Sequence, residues 1–308
     1  MPDGWLILDK PRGLGSTQAV AAVKRNLRAA GYGKVKVGHG GTLDPLAEGV
    51  LPIALGEATK LCGRMLDASK RYEFTIQFGR ETDTLDMEGT VVAECDYQPG
   101  FGPVETAIFN HFSGEIEQLP PAYSAIKVDG QRAYDRARAG EQVELKPRKV
   151  VISDWQYIQE GFVGEWDASE RYATLACTVS KGTYIRSLAR DIARALGTVG
   201  HVTFLRRTKA GPFTQNQAIS LDKLNAIGQG ARLEDHLLPL EAGLDGIPAL
   251  PLDPESAQAA RQGRVLSGMP QPDGLFLAKA GNVPVALMEI VSGTAKVVRG
   301  FNLPDTAE

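Results

Sequence analysis

The chain has 308 residues, 43% of them hydrophobic and 23% charged, which is enough apolar content for a sizeable core and too much for wholesale disorder. No apolar run approaches the roughly 20 residues of a membrane helix, the opening MPDGWLILDKPRG does not read as a signal peptide, and Cys62, Cys95 and Cys177 lack the spacing of a disulfide framework or zinc site. The formal net charge of −3, taken whole, speaks against a nucleic-acid partner.

Residues 5–10 (WLILDK) predict a short strand. A helix follows in QAVAAVKRNLRAAG, with Ser16 or Thr17 as its cap, Val20, Val23 and Leu27 as its apolar stripe, and Gly31 as its end. The loop GHGGTLDPLAEG comes next. Its glycines allow positive φ or close approach, and Pro45 pushes Asp44 towards extended backbone, so by itself the loop reads as a turn. A strand is predicted over residues 50–56 and a helix over 57–68. Residues 71–79 alternate, with Tyr72, Phe74, Ile76 and Phe78 on one face of a half-buried strand.

ETDTLDMEG reads as a solvated hairpin turn into a strand at 90–95, and residues 104–113 look helical. The polar, proline-bounded segment 119–149 reads as an insertion. A strand at 172–180, a helix at 184–197 with Leu188, Ile192 and Leu196 at helical spacing, and a strand at 201–207 complete the main body. Beyond Pro239 prolines recur, and the tail predicts three short strands with turns at Gly281-Asn282 and Ser292-Gly293. A domain boundary is placed near residues 243–248, and a chain ending near Asp245 is expected to fold alone.

The distribution of charge reverses the inference from the net value. Residues 10–36 carry +7, residues 181–211 carry +6 and residues 127–149 carry +3; these +16 leave −19 for the remainder. A basic groove on an acidic body produces this pattern and points to nucleic acid. There is no Walker A loop and no complete dinucleotide fingerprint, and the four histidines lack metal-ligand spacing, so neither cofactor nor metal is expected. Asp44 in its glycine loop, Tyr72 at a strand start and Arg186 at a helix start remain as candidates, and spacing alone does not join them.

Six ordered motifs do join them. GWLILDKPRGLGST, KVGHGGTLDPLAEGVLPIALGEATK, SKRYEFTIQFGRETDTLDMEG, QLPPAYSAIKVDGQRAY, SKGTYIRSLARDIARALG and HVTFLRRTKAGPF resemble the bacterial tRNA pseudouridine synthase B (TruB) family over residues 4–213. The resemblance implies an α+β fold: a mixed, mostly antiparallel sheet with flanking helices, plus a small C-terminal barrel-like domain of the PUA type. It implies a catalytic domain over residues 1–245 with an RNA-binding thumb at 119–149, and an RNA-binding domain over 246–308. By the same resemblance Asp44 is the nucleophile, Arg186 its ion-pair partner and Tyr72 the active-site tyrosine. His39, Asp86, Tyr184, Leu205 and Lys10 are expected to bind substrate. The partner implied is the TΨC stem-loop of tRNA, modified at position 55 by a cytoplasmic, cofactor-free and monomeric isomerase.

The chemistry suits these residue types. Pseudouridine formation breaks the bond from ribose C1′ to uracil N1 and rejoins the base through C5, with no redox step or group transfer. A carboxylate serves as nucleophile when it is ionised and aimed, and a guanidinium partner does both. The uridine must first be flipped out of its loop; His39 can fill the vacated space and Tyr72 can stack on the base. Attack at C1′, attack at uracil C6 and elimination through C2′ are all open to Asp44. Two rival classes are a non-catalytic RNA-binding protein and a hydrolase pairing Asp44 with Asp83 or Asp86. Isomerisation differs from hydrolysis in leaving RNA mass unchanged and releasing nothing.

Overall fold

The computed structural model describes residues 2–304, apart from 125–126, 129–130, 133–135, 137–138, 140, 142–144 and 164–169. Parts of the 119–149 insertion therefore lie outside the described residues.

One ten-stranded sheet organises the chain. Across it the order is Leu237–Leu238, Gly4–Lys10, Glu48–Leu55, Gly200–Ala210, Lys70–Phe78, Glu170–Val179, Arg148–Val163 and Gly114–Gln118, with Val37–His39 beside Glu48–Leu55 and Phe213–Thr214 beside Gly200–Ala210. All of these pairings are antiparallel except that of Gly200–Ala210 with Glu48–Leu55, where Arg206 pairs with Glu48 and Arg207 with Gly49. The sheet is thus mixed and mostly antiparallel.

Helices cover it in two patches. Phe74, Ile76, Leu175 and Cys177 pack against Val104 and Ile108 of helix Phe101–His111 and against Leu188 and Ile192 of helix Ile185–Ala195. Leu6, Leu8, Leu51 and Ile53 pack against Val23 and Leu27 of helix Ser16–Ala29 and against Leu224 and Ile227 of helix Leu221–Gly228. Tyr72 and Leu205 touch both clusters, so the site lies on the seam between them.

The alternation at 71–79 produces the strand Lys70–Phe78 as expected. Two expectations need correction, and the packing bears on a third. The first helix is capped by Gly15, and the Ser16 hydroxyl instead donates to Leu43 O and accepts from Leu43 N, both at 2.8 Å. The ETDTLDMEG turn is not simply solvated: Leu85 and Asp86 are buried, and Leu85 takes a φ of 64°. The third concerns the tail. Its five-stranded sheet, with helix Pro254–Arg261 against it, sends Leu277, Leu287 and Phe301 into one buried cluster with Trp5, Ile7, Val50 and Phe213. Trp5 Nε1 also donates to Leu240 O at 3.0 Å. The segment beyond Asp245 completes a core begun at residue 5, which argues against a chain ending there folding alone.

Candidate active site

The loop carrying Asp44 is held from several directions. Gly40 lies flat against Met65, where a Cβ would come within 2.7 Å of the Met65 Cβ, and Gly41 has a φ of 138°. Arg207, only 1% exposed, fixes the loop from below: its Nε donates to Val50 O at 2.7 Å, Nη2 to Gly41 O at 3.1 Å and Nη1 to Thr42 O at 3.3 Å. Ser16 grips Leu43 from above. Lys10, 0% exposed, donates to Leu14 O at 2.6 Å, Pro11 O at 3.1 Å and Pro45 O at 3.3 Å. Burial pushes its ammonium down to about 8, against the pull of the Asp44 and Glu48 carboxylates. Lys10, which the resemblance places among the substrate-binding residues, directs these donors at backbone carbonyls and so braces the loop.

Asp44 faces Arg186. Arg186 Nη2 is 2.9 Å from Asp44 Oδ2, and Nη1 is 3.5 Å from Asp86 Oδ2. The guanidinium also donates to Thr84 O at 2.8 Å and to Tyr123 O at 3.0 Å. Asp86 is positioned in turn by Thr84 Oγ1 at 2.6 Å and the Glu88 amide at 3.0 Å, both donating to Oδ1. Arg186 therefore bridges the two acids. Asp86 is held by Arg186, Thr84 and the Glu88 amide, and Asp83 is turned to the Thr90 amide at 2.9 Å, so the hydrolase pairing gains no support from the geometry.

The pair opens on a cleft of about 300 Å³ walled by Tyr72, Tyr184, Leu205 and the 180–184 turn. Tyr72 and Arg207 are register partners on neighbouring strands, with Arg207 Nη1 3.5 Å from the Tyr72 hydroxyl. Lys70, whose ammonium donates to the carbonyls of Met65, Leu66 and Ala68 at the end of helix Cys62–Asp67, lines the same cleft. Burial and the Arg207 charge push Lys70 down to about 8.

His39 is not among the cleft residues. The strand Val37–His39 pairs with Glu48–Leu55 and turns the ring towards a separate hollow lined by Thr17, Lys36 and Thr59. Its Nδ1 accepts from the Gly41 amide at 3.4 Å, and burial lowers its pKa. The structure therefore gathers Asp44, Arg186, Asp86, Tyr72, Tyr184 and Leu205, and sets Lys10 beneath the loop and His39 beyond it. Arg207 and Lys70 were not singled out in the sequence. Their only signal was a cation at an otherwise apolar strand position.

A fold of this kind is that of the pseudouridine synthases. A chain in the crystal structure of a Cbf5-Nop10-Gar1 complex matches it with a TM-score of 0.70 at 25% identity, over 98% of this chain and 86% of that one. The chain belongs to the TruB family of pseudouridylate synthases: the N-terminal domain model of that family matches residues 25–185, and the tRNA pseudouridylate synthase B C-terminal domain model matches residues 186–245. Among similar proteins, the tRNA pseudouridine synthase B of Novosphingobium aromaticivorans is 67% identical over 100% of both chains. That of Zymomonas mobilis is 55% identical, over 97% of this chain and 96% of its own.

Proposed function

We propose that this chain isomerises the uridine at position 55 in the TΨC loop of tRNA to pseudouridine, with Asp44 as nucleophile. The observation that carries the reading is the Asp44–Arg186 pair at 2.9 Å, buried on the arginine side and open on the carboxylate side, at the wall of a cleft of about 300 Å³. Arg186 pairs with Asp44 and aims its carboxylate. Tyr72, Tyr184 and Leu205 offer a stacking and apolar surface to an extruded uracil, and His39, behind the loop, is available to the space the base vacates.

The same reading assigns catalysis to residues 1–245, a thumb to 119–149 and RNA binding to 246–308. It takes a monomer acting in the cytoplasm on the TΨC stem-loop. Lys24, Arg25, Arg28, Lys34 and Lys36 support a polyanionic partner, because all five are exposed and none has a carboxylate within ion-pair distance among the described residues.

The test is a product assay on an unmodified tRNA transcript. Pseudouridine should form at position 55 with no change in RNA mass and no free uracil. Released uracil or a cut strand would make the protein a hydrolase, and modification at another position would overturn the site assignment.

A further inference from the structure

We propose that Arg148 holds a backbone phosphate of the RNA at the rim of the cleft, beside the target nucleotide. The proposal rests on the RNA reading above and adds a contact to it.

Arg148 opens the strand Arg148–Val163, where it is the register partner of Gln118. Its guanidinium lies over the ring of Tyr184, 4.7 Å from the centroid. Gln118 clamps the backbone of that tyrosine: the Tyr184 amide donates to Gln118 Oε1 at 2.8 Å, and Gln118 Nε2 donates to Tyr184 O at 3.1 Å. Beneath lies the turn with Gly182, where an added methyl group would sit 3.4 Å from Arg148 Nη1. Gly182, Thr183 and Tyr184 all line the cleft, so the guanidinium stands at its edge.

The neighbouring cations show what is unusual about Arg148. Lys149 pairs with Glu115 at 2.8 Å and Lys181 pairs with Asp67 at 2.9 Å. Arg148 has no carboxylate partner among the described residues, and its Nε and Nη2 are buried without an acceptor. Buried donors without acceptors are costly, more so on a charged group, and a stacked ring supplies no lone pair to replace them. A guanidinium held flat and left unsatisfied is matched by a planar pair of anionic oxygens, which in an RNA substrate means a phosphate. Tyr184 faces the base pocket and carries Arg148 on its ring, so the phosphate held there belongs to the target nucleotide or one beside it.

The experiment measures tRNA affinity against salt for the parent and for Arg148→Gln, alongside single-turnover pseudouridine formation at saturating tRNA. Loss of one phosphate contact should make the log–log salt slope less negative by about 0.7–0.9 and weaken binding on the order of tenfold at low salt, with the saturated rate changed less than about threefold. An unchanged slope with a lost rate would mean that Arg148 only props Tyr184, and would overturn the proposal. Should Arg148→Gln lower the melting temperature, Arg148→Lys carries the test: it keeps the charge and should keep the slope while losing severalfold affinity with the fork. Unchanged affinity there overturns the proposal as well. A parent whose tRNA binding ignored salt would remove the RNA reading itself, whereas a steep parent slope shared by Arg148→Gln would remove this contact alone.

Discussion

Asp44 and Arg186 meet at 2.9 Å, but they do not share an environment: the arginine side chain is 7% exposed and the aspartate 40%. Arg186 is also tied to Asp86, Thr84 O and Tyr123 O, while one face of the Asp44 carboxylate is left to the cleft. The arginine is the fixed member and the carboxylate the one presented to the cleft.

If Asp44 acts in the chemistry as proposed, replacing it with Asn should abolish turnover and leave tRNA affinity within a few-fold, since phosphate contacts dominate binding to nucleic acid. Filter binding and a tritium-release assay on the same preparation check this. Appreciable pseudouridine from Asp44→Asn would remove Asp44 from its role.

Arg186→Lys should fail nearly as badly, since an ammonium cannot reach Asp44, Asp86, Thr84 O and Tyr123 O together. A drop of at least a hundredfold in single-turnover rate is expected. A rate within a few-fold of the parent would show that orientation by the planar fork is unnecessary.

Arg207→Met should act through the loop. It removes the donors for Val50 O, Gly41 O and Thr42 O, and each buried carbonyl left bare costs about 1–3 kcal/mol. The expected result is a lower melting temperature together with a fall of tenfold or more in the saturated rate. A destabilised protein of parental rate would make Arg207 structural only.

Lys10 and Lys70, both pushed down from 10.5 to about 8, give a pH signature of two signs. Between about pH 8 and 10.5 the folded state holds fewer protons than the unfolded chain, so these lysines make stability rise with pH across that window. Activity should move the other way. A neutral Lys10 loses one of its three N–H donors, and the braces on Leu14 O and Pro45 O slacken. Parallel profiles of kcat/KM and melting temperature from pH 7 to 10 should diverge above pH 8; a parallel fall of both would contradict this account.

Truncation after Asp245 should give a poorly soluble protein or one melting far lower. Leu277, Leu287 and Phe301 would leave the cluster around Trp5, each removing about 1.5–3 kcal/mol of burial from a fold stable by roughly 5–15 kcal/mol. A truncated chain with parental melting temperature would restore the expectation of an independent first domain.

Much of this was legible in the sequence where periodicity is clean. The two-residue alternation of Tyr72, Phe74, Ile76 and Phe78 and the helical spacing of Leu188 and Ile192 both found their elements. The strand Arg148–Val163 did not announce itself, because irregularities beyond Ser153 and Tyr157 and a φ of 52° at Asp154 break the alternation. The helix Pro254–Arg261 hid behind its proline, which sits where a helix start tolerates it, with Asp253 capping Ser256. At the site, motif resemblance supplied Asp44 and Arg186. It gave no hint that Lys10 would be sealed under the loop, or that Arg207 would reach Val50 and Gly41, over 150 residues away in the chain. Those contacts depend on long-range register, which no local pattern encodes.

The Ser16 clip has a mechanical consequence. Two hydrogen bonds to Leu43 fasten the first turn of helix Ser16–Ala29 to the residue preceding Asp44, and the same helix carries Lys24, Arg25 and Arg28 on its outer surface. Phosphates seated on that surface set where the strand lies but convey nothing about its bases. On the reading proposed above the helix would act as a ruler: the uridine meeting Asp44 would be chosen by its distance along a folded RNA, and a substrate with one nucleotide inserted between the gripped phosphate and the target should offer the wrong sugar to the same carboxylate.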